Sequence, residues 1–287
     1  GAKGSTPQRT SAKNIGEEYR EVYELAEGED ALIRSRLPGV DTKEQFIELV
    51  QRLKGETGVP IGLKIAATHH LEKELQIALK AGVDFITIDG AEGGTHAAAP
   101  ILEDDLGLPT IYAISRAAKF LAKKEATNEV SLIATGGLVT PGDYLKAIAL
   151  GANAIYIGTI AVMALIGEQM TKVLPFEAPT GMAIYNAKAT DQLNVDKSAN
   201  NLFNYLNAAT QEMGLVCYSL GKTSLADVSM SDLCTLDPFL SRALGIELGY
   251  VAPEEQKQYF EGFTDLPLHE MARQNKNDDD PSSQQLH

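Results

Sequence analysis

The chain has 287 residues, 44% of them hydrophobic, enough for one large domain or two of ordinary size. Its 25 basic and 39 acidic residues leave a formal charge of −14, which disfavours nucleic acid and anionic membrane as partners and leaves any anionic ligand to be held by local backbone geometry. No apolar run approaches the roughly 20 residues of a spanning helix and no signal peptide is evident; Cys217 and Cys234, both placed in apolar helical surroundings, make no disulfide framework, so a reducing, cytoplasmic compartment is expected.

Residues 1–30 are polar, with a helix predicted in NIGEEYREVYELAEG, and ALIRSR (31–36) is a candidate strand. Asp41-Thr42 opens DTKEQFIELVQRLKGETG, where Phe46, Leu49, Val50 and Leu53 mark one helical face and Gly55 and Gly58 end it. VPIGLKIAA (59–67) reads as a strand, and LEKELQIALKAG as a helix closed by Gly82. VDFITID is a strand, YAISRAAKFLAKK a helix and EVSLIAT a strand. Thr140 is placed to cap a helix beginning at Pro141, with Asp143 at its third position to favour the dipole, and Gly151 ends it. NAIYIGT is a further strand. Beyond about residue 175 the pattern turns helical, in KSANNLFNYLNAATQEMG and SMSDLCTL, and NKNDDDPSSQQLH is an acidic polar tail.

The strands are continuous apolar runs, each followed by a helix, which predicts an α/β protein with parallel strands covered on both faces. Glycines at the C-terminal ends of successive strands favour a (β/α)8 TIM barrel of the phosphate-binding type over an open doubly wound sheet. Four βα units are clear, near residues 60, 85, 131 and 154, where a barrel needs about eight. The sequence does not begin with Met, and the missing strands are expected upstream of residue 1. The alternative is a half-barrel that covers its open edge by forming a homo-oligomer. The expected division is a barrel portion over 1–175, a helical extension over 176–250 and a tail over 251–287.

Two glycine sites sit one βα unit apart. Gly136-Gly137 in IATGGLVTPGD and Gly158-Thr159 in AIYIGTIAVM each follow a strand and precede a helix. Bare N–H groups from neighbouring loops, with a helix N-terminus, suit a dianionic phosphate; the bland reading is that they only make turns. Lys64, near the end of the GLKIAA strand, is either functional or reaching solvent at the rim, because a buried lysine without a partner is costly. In a flavin site, a cation there would stabilise negative charge developing on the reduced ring or polarise a substrate carbonyl.

VPIGLKIAA, ITIDGAEGGTHAAAP and IATGGLVTPGDYLKAIALGANAIYIGT, in that order, resemble the FMN-binding barrel of glutamate synthase, and more closely the stand-alone FMN-binding glutamate synthase-like proteins of bacteria. The match is good over about 30–165 and weaker through GLVCYSLGKTSLADVSMSDL; the phosphate motifs are shared with other nucleotide-binding barrels. The resemblance implies an FMN-dependent oxidoreductase of glutamate biosynthesis, with a small-molecule substrate and an unidentified electron donor. It places Lys64 beside the flavin as a catalytic and cofactor residue, and Asp89, Gly90, Glu92, Gly93, Gly94 and Thr95 near cofactor and substrate, with Glu92 a catalytic candidate. It places Gly136, Gly137, Gly158 and Thr159 on the FMN phosphate, and makes Lys3 of GAKGS a weaker substrate-side candidate.

The family commonly reads GGTG where this chain has His96 after Thr95. His96 is a catalytic candidate as substrate contact or proton donor, or equally a solvent-facing residue at a helix start. The cysteine cluster expected next for an iron–sulfur centre is missing from ALIGEQMTKVLPFEAPTGMAIYN, so no metal is expected. Hydride transfer to or from a small carbonyl or imino acid is expected in place of the full glutamate synthase reaction. A non-redox barrel enzyme holding a phosphorylated substrate, and an incomplete barrel without catalysis, are the alternatives. GKTS (221–224) has Val216 where a Walker loop needs glycine. His69-His70 are expected to point apart and cap a helix or face solvent, and Phe203, Tyr205 and Tyr185 to pack in the core or within the helical subdomain.

Overall fold

The computed structural model describes residues 8–33, 37–94, 101, 105–167, 169 and 193–261. Its central feature is a parallel sheet of β3 (Gly62–Ala66), β4 (Phe85–Asp89), β5 (Ser131–Thr135) and β6 (Ala154–Ile155), lying side by side in chain order. Lys64 pairs with Thr87, Thr87 with Ile133 and Ile133 with Ala154. Order without a reversal is the arrangement of successive barrel units; a doubly wound sheet reverses at its switch point.

The helices between the strands form as their end signals dictate. α2 (Lys43–Thr57) starts on a reciprocal Thr42/Gln45 capping box and stops at Gly58, whose φ of 66° suits a residue without Cβ; Gly55 is accommodated inside it. α3 (Leu71–Ala81) stops at Gly82 in the same way, with φ 75°. α4 (Thr110–Lys123) and α5 (Pro141–Ala149) follow, α5 with the Thr140/Asp143 box and Pro141 at its first position. Leu71 and Leu75 of α3, Ile114 of α4, and Ile86 and Ile88 of β4 are fully buried. Each such side chain contributes about 1.5–3 kcal/mol of transfer free energy.

β4 is buried on both faces, as expected of a covered parallel strand, but the two faces differ in polarity. Ile86, Ile88, Leu132 and Ala134 lie on the helix side, whereas register and the period of two put Lys64, Thr87, Asp89 and Thr135 on the other face. A polar set is thus threaded through runs that read as continuously apolar.

ALIRSR supplies no parallel strand among its described residues. β2 (Ala31–Ile33) pairs antiparallel with β1 (Gln8–Thr10), and the intervening α1 (Glu17–Val22) is short. Asp30 fixes this return by accepting from the Ala12 N–H at 2.7 Å and Arg9 Nε at 2.6 Å.

After β6 come α6 (Thr159–Ile166) and the 25-residue α7 (Val195–Ser219), which packs on α5 and α6. Cys217, with Met213 against it, joins Leu145, Ala149 and Val228 in an apolar cluster. The chain divides into two compact units, Gly1–Leu233 and Cys234–His287. The second holds α8 (Pro238–Leu244), α9 (Gln256–Glu261) and the parallel pair β7 (Cys234–Thr235) and β8 (Glu247–Leu248). SMSDLCTL is therefore no α-helix: it forms one 3-10 turn, Met230–Asp232, and then β7. No described helix is long and apolar enough to cross a membrane.

Candidate functional site

The site builds up at the C-terminal ends of β3 to β6. Lys64, half-exposed at 51%, places Nζ 2.8 Å from Oδ2 of Asp89, whose side chain is only 5% exposed. Both belong to the polar sheet face, so the lysine leans along the face to the tip of the next strand. From Asp89 the chain turns into GAEGG, held by Gly90 N–H to the Thr135 carbonyl (3.1 Å) and Ala91 N–H to the Leu108 carbonyl (2.8 Å).

Thr110, buried at the start of α4, joins this loop to the next. Its N–H donates to Glu92 Oε2 at 2.8 Å, and its hydroxyl lies 2.8 Å from both Glu92 Oε2 and the Gly136 carbonyl oxygen. Glu92 thus caps α4 from 18 residues away. The glycines permit this closeness: a Cβ at Gly90 would strike the Thr110 side chain, one at Gly93 the Asp89 carboxylate and one at Gly137 the Glu92 side chain. At Gly136, where φ is 108°, it would come within 2.7 Å of the Gly90 nitrogen. The crowding relieved at these four positions is between loops of the protein itself.

Beyond the glycine pair, α5 begins. Asp143 accepts from Thr140 N–H at 3.0 Å and Val139 N–H at 3.3 Å, and Lys146 stands 3.8 Å away. Burial works against its charged form, but the Thr140 and Val139 hydrogen bonds and Lys146 outweigh it and hold the carboxyl below the usual aspartate range. That leaves the N–H groups of Gly136, Gly137 and Leu138 without an acceptor among the described residues. β6 is the parallel neighbour of β5, so the Gly158–Thr159 tip emerges at the same end of the sheet. Gly158 caps α6, a Cβ there would meet nothing within 4 Å, and the first-turn N–H groups of Thr159 and Ile160 likewise have no acceptor among the described residues. A cleft of about 170 Å³ runs from Gly136 and Gly137 back between Ile111 and Ile114 of α4 and Ala147 of α5; it backs the loop and does not form the mouth.

Lys64, Asp89, Gly90, Glu92, Gly93 and Gly136-Gly137 are therefore brought to one end of the sheet, with Gly158 and Thr159 on the adjacent strand tip. Gly94 closes the described part of its loop; Lys3, Thr95, His96 and Tyr185 lie outside the described residues. The rings of His69 and His70 do not point apart: their centroids are 3.7 Å apart, because turn-like backbone at His70 (φ −95°, ψ 17°) breaks the alternation of a strand. No group of three metal-ligating side chains occurs among the described residues. Lys222 of GKTS is pinned between the Asp227 carbonyl oxygen and Asp232. Cys217 is buried in α7, whereas Cys234 is exposed on a strand, and Phe203 is 64% exposed, outside the core. Sequence reasoning missed Thr110 and Tyr144 and took Tyr205 only for packing; the two tyrosine hydroxyls meet at the Val139 carbonyl. No local motif marks them.

Residues 1–223 match the family described as "Conserved region in glutamate synthase". The chain belongs to the glutamate synthase family. Among its relatives, the archaeal-type glutamate synthase (NADPH) of Thermotoga maritima is 31% identical over 223 residues, covering 77% of this chain and 44% of the relative. The archaeal glutamate synthase (NADPH) of Methanocaldococcus jannaschii is 30% identical over 227 residues, covering 78% of this chain and 44% of the relative. The chain thus spans under half the length of these glutamate synthase relatives. Among solved structures, a mutant flavocytochrome b2 with benzoylformate aligns over 88% of this chain and 50% of its own, at 18% identity and a TM-score of 0.44. A variant GMP reductase from Trypanosoma brucei aligns over 42% of this chain and 26% of its own, at 30% identity and a TM-score of 0.33.

Proposed function

We propose that this chain forms the cofactor-binding part of an FMN-dependent oxidoreductase of the glutamate synthase kind, acting on a small carbonyl or imino acid. The observation that carries the reading is the pair of neighbouring strand tips with bare N–H groups, Gly136–Leu138 on β5 and Thr159–Ile160 beyond β6, within a chain of this family. Such donors suit a phosphate monoester in an acidic protein, since they bring partial positive charge without a lysine.

The residues present fit FMN. Gly136, Gly137, Gly158 and Thr159 would hold the phosphate, and no described residue lies within 4 Å of where a Gly158 Cβ would stand. Lys64 would face the ring, with Asp89, Gly90, Gly93, Gly94 and Thr95 shaping the loop beside it. The flavin, when bound, supplies hydride-transfer chemistry. The lysine ammonium, already oriented by Asp89, stabilises negative charge that develops next to it. Glu92 holds α4 and the glycine loop in place through Thr110, so its part in catalysis is carried by that placement, and His96 remains the proton-donor candidate of the same loop. The complete eight-stranded barrel, NADPH as the source of electrons after the names of the relatives, and a cytoplasmic site of action belong to this reading.

Titration of the purified chain with FMN, followed by flavin fluorescence and absorbance, tests it. One FMN per chain is expected. A thermal shift with sugar phosphates and none with FMN would overturn the flavin reading in favour of a non-redox phosphate enzyme.

A further inference from the structure

The Gly136–Thr140 loop is gripped at both ends by side chains from other elements. At its start, the Gly136 carbonyl oxygen meets the Thr110 hydroxyl. At its end, the Val139 carbonyl oxygen lies 2.8 Å from the Tyr205 hydroxyl and 3.1 Å from that of Tyr144, and the two phenols touch each other. A carbonyl only accepts, so two hydroxyl protons serve three oxygen–oxygen contacts. Burial and the Tyr205 hydroxyl push Tyr144 above the usual phenol range, so it stays a donor at physiological pH.

The two tyrosines are not equivalent. Tyr144 is on α5, five residues from Val139, and its bond is local. Tyr205 is on α7, 66 residues away, and is the tie between that helix and the loop. α7 makes a firm support. At its N-terminal end Gln169 accepts from the Asn194 N–H (2.9 Å) and donates to Ser198 Oγ (3.0 Å), and toward its C-terminal end Met213 and Cys217 pack with Leu145 and Ala149. A helix anchored on either side of Tyr205 fixes where its hydroxyl stands.

Resting on the flavin reading above, we propose that Tyr205 is a positioning residue for the FMN phosphate: through the Val139 carbonyl it holds the Gly136–Leu138 N–H groups in the orientation that receives the dianion. The helical segment after the barrel portion is thereby part of the cofactor site without touching the cofactor.

Riboflavin, which lacks the phosphate, separates this role from general support of the fold. Dissociation constants for FMN and riboflavin are measured by fluorescence titration for the full chain, for Tyr205→Phe, and for Met213→Ala, which weakens α7 packing away from the loop. The expected result is that Tyr205→Phe weakens FMN binding about 3- to 10-fold, the worth of one modest hydrogen bond, and leaves riboflavin binding unchanged. Met213→Ala lowers the unfolding temperature and keeps the FMN-to-riboflavin preference. An unchanged preference in Tyr205→Phe, or a parallel loss for both flavins, overturns the proposal while the flavin reading stands. A full chain that binds neither flavin overturns both, and one that binds the two equally removes the phosphate grip and the role of Tyr205 with it.

Discussion

The two strand tips proposed to hold one phosphate are built differently. The Gly136 tip is braced: Thr110 holds its first carbonyl, Tyr144 and Tyr205 hold its last, and the Thr140/Asp143 box fixes the helix behind it. Among the described residues, the Gly158 tip has no side-chain cap and nothing near the place a Cβ would occupy. Glycine therefore answers to two demands in one site. At Gly136 and Gly137 it lets loops interlock, and a positive φ adds to the requirement. At Gly158 the described residues impose no packing demand, so open backbone is what its missing side chain provides. A preorganised donor set on one strand with an open approach on the next is a workable division of labour, since rigid donors lose little on binding.

The contrast can be broken by substitution. Gly136→Ala should have the largest effect, about 2–4 kcal/mol in urea unfolding, from a strained φ together with the clash on the Gly90 nitrogen. A loss below 1 kcal/mol would mean that the brace is slack. Thr110→Val keeps the shape but leaves the Gly136 carbonyl and Glu92 without their hydroxyl; about 1–3 kcal/mol is expected by the same assay. The Asp143 cap gives a test in acid. Its folded-state pKa lies below the unfolded value, so its contribution is complete above about pH 5 and disappears as pH falls through the depressed value. Asp143→Asn should therefore flatten the acid limb of the stability curve, and identical limbs in the two proteins would discount the box. Gly158→Ala should be the mildest for folding, within about 0.5 kcal/mol, while reducing FMN affinity. A folding loss as large as that of Gly136→Ala would erase the distinction between the tips.

Local rules in the sequence located most of the elements. Gly58 and Gly82 end their helices in the left-handed conformation, and Thr140, Pro141 and Asp143 form the cap that their spacing announces. The parallel class followed from apolar runs alternating with helices. What escaped was decided by distant partners. ALI is a strand, as its sequence suggests, but its antiparallel partner Gln8–Thr10 is set by tertiary context, and β6 is only two residues long within a longer apolar run. Thr110 carries no motif, and its significance lies in a carbonyl 26 residues away. Tyr205, read as a packing aromatic, also reaches the Val139 carbonyl through its hydroxyl. The glycine-rich strand ends and Lys64 were legible because each breaks a local expectation; the residues that hold them in place break none.

The ion pair between Lys64 and Asp89 has a consequence for how an incoming molecule is received. A newcomer meets a neutral couple, not a lone ammonium, so free anions in solution gain little by lingering there. Under the flavin reading proposed above, electron density arriving nearby would draw the half-exposed ammonium away from a carboxylate that is sheltered. Attraction would then be held in reserve until charge appears, and departure of the molecule would leave the lysine with its own carboxylate partner.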